Sequence, residues 1–374
     1  MKNNLFNISL SDTSVMKGIA IIAMLCHHTF TCRPSFEAEY PAFLTTIGIL
    51  GKVCVAMFLF CSGYGLSEQY GRGINSINHI KEKILYSVKF IIKRLIKFYS
   101  AYWFVFIIFV PLGIFVFDRS LAEVYGESVI YLQRLIYDIF GIGGFISYNV
   151  TWWFNKLIIL FYIVFPIIFI IIKHTKLLGF ILCFLLMRFA NKLSVLNYYE
   201  ILLWQFPFIV GIYYSNYKEK LNKLSECVRE YKIISFVCVL VVFMFCILQR
   251  LYAIIPWGHI TGIRMDTFLT LSILLISLLY MRNIPWLYKP LSILGNHSMN
   301  IYLIHTFFNH YWEFSRKLLH DSYLRVGGVN VVVLLLLCLV LSIIIEWLKE
   351  KIYWNKISLL LINIVNKINY KFNS

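Results

Sequence analysis

Long apolar segments separated by short polar ones recur along the whole 374-residue chain. A helix needs about 20 mostly apolar residues to cross the hydrocarbon layer of a membrane. Ten segments meet or approach this requirement, at approximately 15–32, 43–66, 98–117, 152–172, 177–196, 200–215, 233–250, 266–281, 290–311 and 329–348. The pattern therefore predicts an all-α integral membrane protein with about ten transmembrane helices in one bundle.

Two of these predicted spans, 177–196 and 200–215, are less regular than the others. Arg188 and Asn191 interrupt the first of them, and Pro207 would kink a helix in the second. Eight or nine crossings are therefore also compatible with the pattern.

The composition agrees with a membrane domain. Charged residues make up 14% of the chain and hydrophobic residues 60%, whereas soluble proteins are about one quarter charged. The chain shows no repeat, low-complexity tract or linker. We therefore expect one membrane-embedded domain over 1–374, with a core at about 14–348 and a basic cytoplasmic tail at 349–374.

The distribution of lysine and arginine predicts the orientation, because cytoplasmic loops retain these residues. With a cytoplasmic N-terminus, cytoplasmic segments hold 23 of the 35 basic residues and outer segments hold 10, with Lys52 and Lys156 inside spans. Both termini are therefore expected in the cytoplasm. The net charge of +17 then needs no nucleic acid. The basic segment 81–97 lies on anionic lipid or, alternatively, binds an anion.

The chain is expected in a cell membrane as a multi-pass protein. Its first apolar run lacks a small-residue cleavage site and is therefore predicted to be a retained helix. The abundance of asparagine, lysine and isoleucine suits an AT-rich bacterial genome. The nine cysteines form no CxxC pair, and most lie in predicted helices, where thiols behave as small apolar groups. No disulfide framework and no zinc or other metal site is expected.

The first predicted helix contains "MKGIAIIAMLCHHTF", which carries a lysine and two histidines. Ionisable residues inside a span indicate a cavity or pathway. His28 follows Lys17 by eleven positions, which is three turns plus about 20°, whereas His27 lies about 80° off that stripe. The spacing favours His28 as the partner of Lys17 in a site. Alternatively, Lys17 reaches lipid phosphate and both histidines lie at the outer interface.

The second predicted helix ends in "FLFCSGYGLS", which places Ser62, Gly63 and Tyr64 at its cytoplasmic end. Small residues there allow a ligand or another helix to approach closely, and in membrane helices they most often serve helix packing. Lys52 lies inside the same span without an acidic partner nearby in the sequence.

Two later spans carry further candidates. His305 in the ninth span reaches a predicted depth similar to that of His28, and Tyr302, three positions earlier, shares its face. A shared site is predicted, and a hydrogen bond from His305 to a neighbouring helix is the alternative. Trp152 and Trp153 open the fourth span, where they form an interface belt or stack on a sugar ring.

These motifs, in this order, resemble the acyltransferase 3 family of integral-membrane O-acyltransferases. A basic residue, ten residues and a histidine are matched by Lys17 and His28, although many members have arginine first. "FLFCSGYGLS" is similar to the family's aromatic run ending in Ser-Gly-Phe or Ser-Gly-Tyr. "TWWF" and "LGNHSMNIYLIH" resemble its fourth-helix and C-terminal motifs. The resemblance covers about Ser14 to Phe307.

The resemblance implies transfer of an acyl group, usually acetyl from acetyl-CoA, to a hydroxyl of a cell-surface polysaccharide or a lipid-linked glycan precursor. A sugar hydroxyl needs a positioned base, and His28 is the candidate. His305 is a second candidate catalytic residue, which orients the base or contacts the acceptor. Direct transfer and transfer through an acyl-histidine both fit these residues.

Two sets of binding residues are implied as well. The set expected to bind acyl-CoA lies toward the cytoplasm and comprises Lys17, Ser62, Gly63 and Tyr64. The set expected to line the acceptor site comprises Trp152, Trp153 and Tyr302. The expected partners are therefore acyl-CoA, a glycan or lipid-linked sugar acceptor, and membrane lipid.

Two other functions would retain some of the same features. A flippase or proton-coupled transporter also keeps histidine and lysine in its helices, but such carriers often show inverted repeats, and none is detected. A glycan polymerase or glycosyltransferase would be expected to have large acidic or arginine-containing loops. The outer segment 118–151 is acidic but short.

Overall fold

A computed structural model describes residues 4–32, 40–126, 130–186, 199–252, 261–320, 324 and 327–368. All regular elements among these residues are helical, which confirms the predicted all-α class. The α-helices are α1 (Leu10–Phe30), α2 (Ala42–Gly51), α3 (Val53–Ile74), α4 (Ile80–Val116), α5 (Leu121–Tyr125), α6 (Ile130–Ile139), α7 (Trp153–Thr175), α8 (Leu177–Leu186), α9 (Tyr199–Asn222), α10 (Ser225–Glu230), α11 (Lys232–Tyr252), α12 (Thr261–Leu279), α13 (Pro285–Asn296), α14 (Ser298–Thr306), α15 (Glu313–Leu319), α16 (Val329–Lys351) and α17 (Trp354–Lys367).

Seven helical segments in the described part of the chain are long and apolar enough to cross a membrane. Helices α2 and α3 together form one of them, Ala42–Ile74, as the sequence predicts for its second span. The predicted span 177–196 lies partly outside the described residues. The chain is thus an all-α membrane protein, while ten crossings and cytoplasmic termini stay predictions.

The predicted ninth span, 290–311, is not one continuous helix. Helix α13 ends at Asn296, and α14 begins at Ser298 after a break at His297. Residues Phe307–Tyr311 then widen into a π-helical turn. Such turns are rare and frequently occur at functional sites. The sequence marks this point only by a short polar run, Asn296 to Ser298, which the prediction of one continuous apolar span passed over.

The contacts divide the chain into two compact units. The first comprises Met1–Gln69, Ile167–Ser298 and Ser322–Leu335, and the second comprises Tyr70–Pro166, Met299–Asp321 and Leu336–Ser374. Each unit is therefore built from segments distant in sequence.

In the first unit, α1 packs mainly against α13 and α2. Its start is set by a capping box, in which the Ser9 hydroxyl accepts the Asp12 N–H at 3.1 Å and the Asp12 carboxylate accepts the Ser9 N–H at 2.7 Å. Glycines permit the close contact with α13. A Cβ atom on Gly18 would lie 2.0 Å from the Leu291 carbonyl oxygen, and one on Gly295 would lie 1.7 Å from that of Ser14. Larger residues would force these two helices apart.

In the second unit, α17 packs along α4. The Trp354 indole N–H donates to the Ser100 carbonyl at 2.8 Å, and the Lys89 ammonium donates to the Asn366 carbonyl at 3.2 Å. Most of the segment predicted as a basic tail therefore forms a helix that rests on α4.

Candidate functional site

Lys17 and His28 lie on the same continuous helix, α1, so the predicted stripe through both residues exists. Both side chains are half-buried. The Lys17 ammonium interacts electrostatically with the Cys61 thiol of α3, which immediately precedes Ser62. The structure thus brings Lys17 toward the α3 motif that the sequence analysis grouped with it.

His27 is held by the neighbouring helix α2. Its Nδ1 lies 2.9 Å from the Gly48 carbonyl oxygen and 3.0 Å from the Thr31 hydroxyl. The carbonyl only accepts, so Nδ1 carries the proton and Nε2 carries the lone pair. A Cβ on Gly51 would come within 3.2 Å of the His27 Cβ, so α1 and α2 approach closely here. His27 therefore ties the end of α1 to α2.

His28 belongs to a small group of side chains that the sequence analysis did not recognise. The ring centroids of His27 and His28 are 5.3 Å apart, and Cys32 Sγ lies 3.9 Å from His27 Nε2. Ligand-type atoms of all three residues lie within 4.8 Å of one another. A search for CxxC pairs misses this group, because it consists of two adjacent histidines and a cysteine about one helical turn later.

The α3 motif presents two different faces. Gly63 faces α9, where an added Cβ would lie 2.1 Å from the Phe208 carbonyl oxygen, and the Tyr64 hydroxyl donates to the Ile8 carbonyl at 3.0 Å. Both residues therefore support packing. Ser62 is half-buried on another face, together with Gly65, whose added Cβ would meet no atom within 4 Å. That face has room for a ligand.

A buried ion pair near the start of α1 was not foreseen. The Asp12 carboxylate accepts hydrogen bonds from Arg282 at 2.8 and 2.6 Å and from the Tyr288 hydroxyl at 2.8 Å. Arg282 also donates to the Leu5 and Asn7 carbonyls. The pair fastens the N-terminal segment to the region between α12 and α13. The only local sequence signal for this pair is the spacing of Ser9 and Asp12, which is typical of a capping box and involves Asp12 but not Arg282.

Lys52 has an acidic neighbour that is distant in sequence. The Asp266 carboxylate interacts electrostatically with Lys52 and accepts a hydrogen bond from Arg250 Nε at 3.0 Å. Its other oxygen, Oδ2, is buried and accepts no hydrogen bond from the described residues. Lys52 and Arg250 also interact electrostatically with His27. A lone aspartate within the eighth predicted span was the available signal.

In the second unit, His305 is completely buried in α14. Its Nδ1 lies 2.8 Å from the Tyr302 carbonyl and 3.2 Å from the Ile301 carbonyl, so Nδ1 carries a proton here too. The Tyr302 hydroxyl is 2.9 Å from the Thr151 carbonyl and 3.2 Å from Asn155 Oδ1. The residues at the start of α7 therefore hold the helix that carries His305.

Asn155 was not singled out by the sequence analysis. It is completely buried at the start of α7. Its Oδ1 receives the Tyr302 hydroxyl, while its Nδ2 finds no acceptor among the described residues. An amide donor of this kind is unusual in a protein interior and suits a polar ligand group.

The two candidate tryptophans differ in position. Trp152 is 1% exposed, and its indole N–H donates to the Leu303 carbonyl at 3.1 Å. Its ring packs edge-on against Tyr102, with centroids 5.1 Å apart. Trp153 is half-buried and stacks on the exposed Phe145 at 5.6 Å. Trp153 is therefore the more accessible of the two rings.

Asp138 organises the segment before α7. Its carboxylate accepts the Tyr125 hydroxyl at 2.5 Å and the Tyr148 N–H at 2.6 Å. Burial raises the pKa of the Asp138 carboxyl, although these hydrogen bonds act in the opposite direction. Burial and the neighbouring Asp138 raise the pKa of Tyr125 as well. The predicted outer segment 118–151 is thus partly an ordered, buried structure.

His28, Lys17 and the α3 motif belong to the first unit, whereas His305, Tyr302 and the two tryptophans belong to the second. In the first unit Lys17 lies near the α3 motif, while His28 lies about three helical turns further along α1 with His27 and Cys32. In the second unit, hydrogen bonds link Tyr302 and Trp152 to the region around His305. The assembly of all of them into one site stays a prediction.

The fold is that of an all-α membrane protein with seven candidate spans among the described residues, several of which carry ionisable residues. The chain belongs to the acyltransferase 3 family, whose model, described as an acyltransferase domain, matches residues 12–350. The resemblance found in the sequence is confirmed over nearly the whole chain. Comparisons with curated proteins and with solved structures found no match.

Proposed function

We propose that this membrane acyltransferase transfers an acetyl group from acetyl-CoA to a hydroxyl of a cell-surface polysaccharide or a lipid-linked glycan precursor, in a bacterial cell membrane. Family membership supports acyl transfer. The observation that carries the residue assignment is the continuous helix α1, which presents Lys17 and His28 on one stripe.

His28 acts as the general base. It accepts the proton of the sugar hydroxyl while the sugar oxygen forms a bond to the acyl carbon and the carbon–sulfur bond breaks. His28 then passes the proton to the departing thiolate. A positioned base of this kind contributes about 10²- to 10⁴-fold to a rate. His27 is less suited to the role, because it lies about 80° off the stripe that Lys17 and His28 share and ties α1 to α2 through the Gly48 carbonyl.

Lys17 and the face of α3 formed by Ser62 and Gly65 bind the acyl-CoA. A lysine ammonium suits a phosphate group as a point charge, and the open space beside Gly65 leaves room for a ligand chain. Gly63 and Tyr64 lie on the other faces of α3, where they pack against α9 and bind the N-terminal segment, and so hold α3 in position.

Residues of the second unit bind the acceptor. Trp153 offers a partly exposed ring on which a sugar can stack, and the Asn155 amide N–H has no acceptor among the described residues. His305 contacts the acceptor or orients the base from a fixed position. Trp152 and Tyr302 hold this region in place through hydrogen bonds to backbone carbonyls.

The deciding experiment compares the ester content of surface glycans, by mass spectrometry, in cells with and without the gene. Loss of a single ester type on deletion, with recovery on complementation, is expected and would identify the acyl group. An unchanged ester profile would refute the proposed reaction.

The same assay distinguishes the two adjacent histidines. His28→Ala should abolish acyl transfer while the protein remains inserted and folded. His27→Ala should retain substantial activity, although loss of the contact with Gly48 should lower its thermal stability. Equal glycan acetylation by the His28→Ala variant and the unmodified protein would exclude His28 as the base.

A further inference from the structure

The end of α1 carries three potential metal ligands that the proposed acyl transfer does not require together. They are His27, His28 and Cys32, and one ligand atom of each lies within 4.8 Å of the others. Ligands of one tetrahedral zinc ion are about 3.4 to 3.8 Å apart, given zinc–nitrogen and zinc–sulfur bonds of about 2.0 to 2.3 Å. Small side-chain rotations would therefore bring the three atoms onto one ion.

The hydrogen bonds of His27 fix the orientation of its ring and leave Nε2 as the nitrogen that can bind a metal. Nδ1–H donates to the Gly48 carbonyl at 2.9 Å and faces the Thr31 hydroxyl, which itself donates to the His27 carbonyl at 2.5 Å. The lone pair is consequently on Nε2, which lies 3.9 Å from Cys32 Sγ. Histidines that bind metals usually donate their other ring N–H to a carbonyl or carboxylate in this way.

The ligand types select the class of ion. Imidazole and thiolate suit zinc and neighbouring transition metals, whereas magnesium and calcium require oxygen ligands. Three protein ligands would leave a fourth coordination position open.

We propose that His27, His28 and Cys32 form a binding site for a transition-metal ion of the zinc class, and that an ion bound there inhibits acyl transfer. The inhibition rests on the proposed function, since the ion would occupy the imidazole that has to accept the acceptor proton. The binding site itself does not depend on that function.

Binding is tested with the full-length purified protein in detergent, freed of metal and then titrated with Co²⁺ as a spectroscopic probe and with Zn²⁺. One ion per chain and a cobalt–thiolate absorption band are expected. Cys32→Ser should remove the band and weaken zinc binding by about tenfold or more. The control is Cys227→Ser, which changes another exposed cysteine and should bind as the unmodified protein does.

Absence of the cobalt–thiolate band, or equal zinc affinity of the Cys32→Ser variant and the unmodified protein, would overturn the site. Cys32→Ala serves as a second variant, and gel filtration checks that each variant is folded.

Inhibition is tested by adding Zn²⁺ during glycan acetylation. The unmodified protein and Cys227→Ser should lose activity, whereas Cys32→Ser should keep its basal activity and resist the ion. Zinc that binds with one-to-one stoichiometry without inhibiting would overturn the inhibitory role and leave acyl transfer untouched. If deletion of the gene leaves the ester profile unchanged, the proposed function fails, and the cobalt titration still decides the site.

Discussion

The two histidines assigned to catalysis have very different surroundings. His28 is half-buried near the end of an uninterrupted helix, beside His27 and Cys32. His305 is completely buried in a short helix, with Nδ1 against the Tyr302 carbonyl. An imidazole that exchanges protons needs access to its partners, whereas one that only positions a group benefits from fixed hydrogen bonds. Under the proposed function, these surroundings suit His28 as the base and His305 as a group with a fixed orientation.

The helices that carry the two histidines also differ, in length and in regularity. Helix α1 runs without interruption from Leu10 to Phe30. The helix that carries His305 ends at Thr306 and is followed directly by the π-helical turn Phe307–Tyr311. The start of α7 holds it, with the Thr151 and Thr306 hydroxyls 3.0 Å apart. The irregular backbone around His305 is thus held by contacts with the residues at and before the start of α7.

Among the tests of this comparison, replacement of His305 should change activity the most. His305→Ala should lower kcat by about 100-fold, the low end for a catalytic group. Glutamine retains an N–H that can reach the Tyr302 carbonyl, so His305→Gln should recover a large part of that loss. The measurement is steady-state kinetics with both substrates. If glutamine is as inactive as alanine, His305 itself transfers a proton and the division of roles is wrong.

The aromatic surroundings of His305 can be tested through the two adjacent tryptophans. Trp152→Ala should destabilise the protein by about 3 to 5 kcal/mol, because it removes a buried ring and its hydrogen bond to Leu303. Trp153→Ala should change thermal stability little and raise the KM for the acceptor. Thermal unfolding in detergent and acceptor titrations separate the two. Equal stability losses would mean that Trp153 is also a packing residue.

Regular spacing made part of the site predictable. The 3.6-residue period of a helix places Lys17 and His28 on one stripe, and α1 is indeed continuous. The same period does not distinguish Trp152 from Trp153, since each ring is placed by the residues it meets, including Tyr102 and Leu303. The sequence could name the pair of tryptophans but could not say which one is accessible.

Long-range contacts explain most of what the sequence did not reveal. Asp12 and Arg282 are 270 positions apart, so no local pattern pairs them. The partner of Lys52, Asp266, comes from a different helix. Such features depend on which helices pack together, and the order of apolar segments does not determine that packing.

The polar stripe of α1 can be tested through Lys17. Lys17→Ala should raise the KM for acyl-CoA by about tenfold, which is typical for loss of one charged hydrogen bond, and should leave the KM for the acceptor almost unchanged. Lys17→Arg should behave like the unmodified protein, because arginine occupies this position in many acyltransferase 3 members. Lys232→Ala, an exposed control at the start of α11, should have no effect. A change in acceptor affinity alone would contradict the assigned role.

The smallest expected effect concerns pH and the ordered segment of the second unit. Burial raises the pKa of Asp138 in the folded protein, so folding takes up a proton. The stabilising contribution is complete below the unfolded pKa of about 3.9 and is lost as the pH rises through the folded value. Asp138→Asn, which is neutral at every pH, should therefore flatten the pH dependence of thermal stability.

The control for this prediction is Asp118→Asn, since Asp118 is exposed and asparagine tolerates its positive φ of 52°. Thermal unfolding between pH 4 and pH 7 in one detergent provides the measurement, with amide exchange of the Tyr148 N–H as the local probe. The same pH response in Asp138→Asn and in the unmodified protein would show that Asp138 is charged throughout. The hydrogen bonds from Tyr125 and Tyr148 would then outweigh the cost of burial.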